Sequence, residues 1–135
     1  MSTQLTFTET IHYDDHPDGI RILTSLSFGG QTLDVPAKVD TGAEVCLFSN
    51  EIGTGLGLRV EDGLPIRLGT LAGTIEAFGH EVTLQTGALI FQSTVYFAKY
   101  PNLPRNILGR RGWLRNLKLA VVDYDNLLYL SAYDE

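Results

Sequence analysis

The sequence is poor in several things, and each scarcity excludes something. It has one cysteine, Cys46, in 135 residues, so no disulfide can form within the chain. That usage fits a reducing compartment. Basic residues are few: 10 Lys and Arg against 16 Asp and Glu give a formal net charge of -6. A polyanion such as nucleic acid is a poor partner for such a chain. No apolar run approaches the roughly 20 residues that cross a bilayer. The start, "MSTQLTFTET", lacks a basic stretch followed by an apolar one, so no signal peptide is expected. His12, His16 and His80 have no metal-ligand spacing. "GTGLGL" at residues 53–58 has neither the GxGxxG spacing nor the lysine of a phosphate loop, and Ser49 has no GxSxG elbow. These exclusions predict a soluble, cytoplasmic protein with no metal, no cofactor, no nucleic-acid partner and no membrane span.

What is present reads as short strands and glycine turns. The hydrophobic fraction, 44%, suffices for a core, and the length suggests one domain, residues 1–135. "QLTFTETIHY" alternates polar and apolar residues as a half-buried strand does. With the turn "DDHPDG" it forms an N-terminal extension over residues 1–19, before a core over residues 20–132. "IRILTSLSF", Gly29-Gly30 and "QTLDVPAKV" predict a hairpin, with Pro36 at an edge or irregular spot. "VCLFS" is strand-like, and "NEIGTGLGLRVEDG" is loop or a short helical turn. Residues 64–98 hold three strand candidates broken by glycines. "KYPNLPRN" is a two-proline loop, and "GRRGWLRNL" has room for one short helix. The end predicts two strands around a turn at Tyr124-Asp125-Asn126. Trp113 and Cys46 fit the core better than a site.

One stretch resists this reading. In "AKVDTGAEVCLFS" a carboxylate, Asp40, interrupts an apolar strand. Burying it unused would be costly, and Gly42 permits a bend or a close approach behind it. Downstream, two apolar residues, Ile107 and Leu108, precede Gly109 and Arg110 in "NILGRRGWL". Between them lies a glycine-rich hairpin, "RLGTLAGTIEAFG". In kind and order these elements resemble the retropepsin-like, single-domain aspartic proteases in their DTGA form, over roughly residues 20–132.

The resemblance implies an all-β fold: a closed β-barrel equivalent to half an acid protease, with one short C-terminal helix, active as a two-fold homodimer. It implies an aspartic endopeptidase. Asp40, Thr41 and Gly42 would be catalytic. Gly42, Ala43, Glu44, Ile107 and the flap residues Gly69, Thr70, Leu71, Ala72 and Gly73 would hold an extended peptide. Leu108, Gly109 and Arg110 would support the site. Thr41 would hold its loop by side-chain hydrogen bonding. Peptide hydrolysis by water needs a base and an acid, which two carboxylates sharing a proton provide. With one DTG in the chain, the second carboxylate must be Asp40 of another copy.

Alternatives stay open at this level: an idle retropepsin-like dimer used for peptide binding or scaffolding, or a monomeric β-barrel for a small ligand. The flap stretch also reads as an ordinary hairpin. Three details depart from the family pattern: Glu44 where aspartate is common, Arg111-Gly112-Trp113 after the Gly-Arg pair, and the N-terminal extension. Two further expectations follow. Glu44 pairs with Arg110, or with Arg111 instead. The apolar terminal strands "KLAVVDY" and "LLYLSAY" offer edges to a second copy.

Overall fold

The computed structural model describes every residue except Pro104, which lies in the predicted loop "KYPNLPRN" and so outside the described residues. Ten strands dominate the described residues. β1 spans Glu9–His12, β2 Arg21–Phe28, β3 Gln31–Val39 and β4 Leu47–Phe48. β5 spans Leu64–Thr70, β6 Gly73–Thr86, β7 Leu89–Ala98 and β8 Ile107–Leu108. β9 (Leu117–Val122) and β10 (Leu127–Ala132) close the chain, and α1 covers Asn50–Gly55.

The larger sheet runs β2-β3-β8-β4-β7-β6-β5, and a further pairing of β2 with β6 closes it into a barrel. β6 shares one edge between two partners. Its residues Thr83–Gln85 pair with β2, whereas Gly73–Gly79 pair with β5. β7 takes the other edge only from Ala77 onward. The first residues of β6 and the end of β5 therefore project beyond the barrel as a free hairpin.

Local chemistry explains the turns. Gly29 and Gly30 both have positive φ (56° and 86°), the backbone a two-residue hairpin turn demands. Pro36 lies in β3 without disrupting it, because β8 pairs only Lys38 and Val39. At Pro36 the strand is locally an edge, where a missing N–H is tolerated.

Two predictions change. The α-helix is not in "GRRGWLRNL" but in α1, where Ser49 caps it by accepting from the Ile52 amide at 3.4 Å. In the C-terminal stretch only a 3₁₀ turn forms, over Leu114–Asn116. Gly112 is the reason. Its φ of 100° is not helical, and a Cβ there would come within 2.8 Å of the Thr94 carbonyl oxygen. The Leu114 and Arg115 amides bond back five residues, to Gly109 and Arg110, in a wide turn.

β1, β10 and β9 form a second sheet in that order. β10 is its middle strand, so "LLYLSAY" has no free edge for a partner. Tyr13 donates to the Asp123 carboxylate, tying the extension to the β9–β10 turn. That bond, with the charge of Asp123, pushes the Tyr13 phenol up to about 12.

Between the sheets lies one core. Trp113, Phe48, Phe97, Leu26, Leu84, Leu108, Leu128 and Leu130 are fully buried. The Trp113 indole donates to Thr86 Oγ1 at 3.0 Å, so its polar end is satisfied.

Candidate active site

β3 delivers Asp40 to the edge of the barrel, and short backbone contacts fix it there. The Asp40 amide donates to the Leu108 carbonyl at 3.0 Å. The chain then turns: the Ala43 amide returns to the Asp40 carbonyl at 3.1 Å. Asp40 Oδ1 accepts from the Gly42 amide at 3.0 Å, which orients the carboxylate. The segment after β8 grips the far side of this loop. Arg110 N donates to Ala43 O at 2.9 Å and Arg111 N to Glu44 O at 2.8 Å.

β8 is the keystone of this arrangement. It runs parallel to β3 and antiparallel to β4, between the strands that enter and leave the loop. Gly109 follows it in a space no side chain could share. A Cβ there would lie 2.1 Å from the Val45 carbonyl oxygen. Its amide donates to Cys46 Sγ at 3.4 Å. Burial pushes the Cys46 thiol up to about 12, so it stays protonated and unreactive.

Above the loop stands the β5–β6 hairpin. Its two-residue turn, Leu71-Ala72, is held by Thr70. The Thr70 hydroxyl donates to the Gly73 carbonyl at 2.7 Å and accepts from the Ala72 amide at 3.2 Å. Gly73 has φ 125°, a conformation glycine favours. Leu71 is fully exposed at the tip.

Loop and hairpin enclose a cleft of about 910 Å³. Of the predicted site residues, Asp40, Gly42, Ala43, Glu44, Gly69, Thr70, Leu71 and Ile107 line it. Thr41, Ala72 and Gly73 do not line it, although they adjoin residues that do. Leu108 and Gly109 are buried behind it, and Arg110 is exposed. Among the described residues Thr41 makes no side-chain hydrogen bond; the carboxylate and backbone of Asp40 hold the loop instead.

Sequence reasoning missed four lining residues: Val45, Leu47, Arg67 and Leu68. Val45 and Leu47 follow the motif on the strand it feeds, and Arg67 and Leu68 belong to the hairpin's stem. Counting along those strands from the motif and the tip would have found them.

The expected Glu44–Arg110 pair does not form. Glu44 faces Arg111, with Oε1 and Nε 4.0 Å apart and both side chains largely exposed. The backbone explains the choice. Arg111 N bonds Glu44 O, and Val45 bridges Arg111 in parallel register, which sets residue 111 beside residue 44.

This architecture is that of the retropepsins. A retropepsin-like aspartic protease from Rickettsia conorii superimposes with a TM-score of 0.66 at 17% identity, covering 90% of this chain and 98% of that one. The EIAV protease complexed with the inhibitor HBY-793 gives 0.50 at 22% identity, covering 72% and 88%. No curated protein matches the sequence significantly. The family described as aspartyl protease matches residues 24–111, a span that runs from β2 through the carboxylate loop to the arginine beside it. On that match, which takes in well over half of the sequence, the chain belongs to the aspartyl protease family.

Proposed function

We propose that the protein is an aspartic endopeptidase working as a two-fold homodimer, with Asp40 of each copy forming one catalytic pair. The carrying observation is the Asp40 carboxylate, held by its own loop at the floor of a cleft roofed by the β5–β6 hairpin. One member of the pair takes a proton from water while the other protonates the peptide carbonyl oxygen. The resulting diol collapses, the C–N bond breaks, and the leaving nitrogen takes a proton back from the pair. The proton is shared, so the pair titrates as a unit.

Two features support assembly. Nothing within the chain requires glycine at 42: an added Cβ would meet only Asp40 Oδ1, at an ordinary 3.4 Å. That leaves open space beside Gly42 for substrate or a second copy to approach the backbone. β9 also keeps an open outer edge, with Val121 and Val122 about two-fifths exposed. Pairing β9 with its two-fold mate joins both small sheets into one of six strands.

The hairpin serves as the flap. β5 is the last strand of its sheet, and its unpaired edge suits an extended peptide added as a further strand. Residues 1–135 act as one domain in this scheme, residues 1–19 bracing the terminal sheet. The acidic composition and single thiol suit a cytoplasmic setting.

A peptide-library digest tests the proposal across pH and protein concentration. Wild type should cleave with a mildly acidic optimum and lose activity faster than linearly on dilution. Asp40→Asn should lower the rate on the order of 10³-fold or more while keeping its fold. Full cleavage by that variant would sink the mechanism.

A further inference from the structure

The cleft carries a charge that hydrolysis does not use. Among its described lining residues Arg67 is the one cation, set against Asp40 and Glu44. Arg67 is exposed on β5, opposite Glu76 of β6. That cross-strand neighbour would ordinarily answer it, since opposite charges on facing strand positions attract. Here Glu76 is engaged elsewhere: Lys99 Nζ lies 3.6 Å from its Oε2. Glu44 makes its one ion-pair contact, a weak and exposed one, with Arg111 and not with Arg67. Arg67 is left with no acidic partner among the described residues, on the wall of a cleft that is otherwise apolar along Leu68, Ile107, Val45 and Leu47.

We propose that Arg67 is a specificity-determining residue that selects peptides carrying a carboxylate side chain. The inference rests on the peptidase reading of the same cleft. A guanidinium binds carboxylate through two parallel N–H donors, a geometry lysine cannot reproduce. Position along the substrate follows from strand geometry. Four residues separate Arg67 from the tip residue Leu71, which at about 3.3 Å each is about 13 Å. With the tip over the bond to be cleaved, the carboxylate belongs roughly three to four residues away. The two-fold axis presents a second Arg67 at the other end of the peptide. An acidic residue is therefore selected on both sides of the cleavage point, in a substrate whose centre is apolar.

The test has a binding arm and a cleavage arm. In the first, Asp40→Asn is titrated with fluorescent peptides identical except for Asp, Asn or Lys three or four residues from an apolar centre. The Asp peptide should bind about tenfold tighter than the Asn peptide, the scale of a charge-assisted pair in a partly shielded cleft. Adding Arg67→Glu should reverse the order of the Asp and Lys peptides. Arg67→Lys should recover only part of the preference. In the second arm, kcat/KM for the same peptides with wild type should follow the same order, mainly through KM. Equal affinity for all three peptides, or a preference that Arg67→Glu leaves untouched, overturns the inference. Charge-selective binding without cleavage by wild type would instead overturn the peptidase reading and leave the role of Arg67 standing.

Discussion

The floor and the roof of the cleft are built on opposite principles. The floor loop, residues 40–45, is tied by three backbone bonds to β8 and the residues after it, by one to itself, and by the Asp40 carboxylate. It packs so closely that Gly109 has no room for one carbon. The roof tip, residues 69–73, has only its own hairpin to hold it. β7 does not reach its level, Leu71 is exposed, and its extra bonds all come from Thr70. Few buried contacts and solvent-exposed hydrogen bonds mark a segment that opens at low cost. The proposed mechanism asks for this difference: a carboxylate that is to meet its mate within hydrogen-bond range needs a fixed seat, while a cover over a long peptide has to admit and release it.

The sharpest way to break this contrast is to push a methyl group into the floor. Gly109→Ala places a Cβ 2.1 Å from Val45 O and 3.0 Å from Ala43 O, both backbone atoms that cannot turn aside. Overpacking of this kind costs on the order of 3 kcal/mol, and the displaced loop should carry Asp40 out of register. Urea unfolding should show the loss, and peptide cleavage should fall with it. Gly69→Ala in the roof meets nothing within 4 Å and should change stability by less than about 0.5 kcal/mol. Equal losses for the two variants would dissolve the distinction.

Thiol labelling measures the same contrast as a rate. Cys46 lies under the floor, buried and kept protonated, whereas Leu71→Cys puts a thiol at the open tip. At pH 8 the tip thiol should react on the order of 10³-fold faster, because Cys46 must wait for an opening of the barrel. The linkage has a definite sign. The Cys46 thiol rises from 9.0 to about 12 on folding, so the folded state holds its proton more tightly. That contribution is complete below pH 9 and is lost as pH rises towards 12. Stability that stayed level across this window in the wild type, yet fell in Cys46→Ala, would contradict the burial.

Most of the floor was legible in the sequence, and the roof only partly. "VDTGA" and "NILGR" announce themselves because a charge and glycines interrupt apolar runs, and close packing demands those residue types. Alternation and the glycine punctuation marked β2, β3, β5, β6 and β7. Long-range pairing was not legible. Nothing in "LLYLSAY" says that both its edges are filled within the chain, because one partner strand lies more than a hundred residues earlier. The helix falls where the sequence offered only loop or a short helical turn, and the reason is local. "NEIGTG" carries two glycines that lower helix propensity, yet Gly53 is required, since a Cβ would lie 2.8 Å from Val60 and 3.0 Å from Phe97. The Ser49 cap was the signal to weigh more heavily. Arg67 carries no such signal: it sits on the hairpin's stem, below the glycine-marked tip, and the cleft continues down to it.

The smallest effect concerns the pair at the rim of the floor. If Glu44 and Arg111 helped to seat Asp40, breaking them would resemble Gly109→Ala. The geometry says otherwise. Their closest atoms are 4.0 Å apart through a single guanidinium nitrogen, and the side chains are 62% and 66% exposed. Exposed pairs of this type contribute about 0–1 kcal/mol and weaken with salt. The loop is held instead by the main chain of the same residues, Arg111 N to Glu44 O, which a side-chain substitution leaves in place. Arg111→Ala should therefore lower stability by less than about 1 kcal/mol, and Arg111→Lys should be nearly silent. Both should be measured at low and high salt, where the small difference from wild type should shrink. A loss near 3 kcal/mol that persists in high salt would mean that the ion pair holds the floor and the backbone does not.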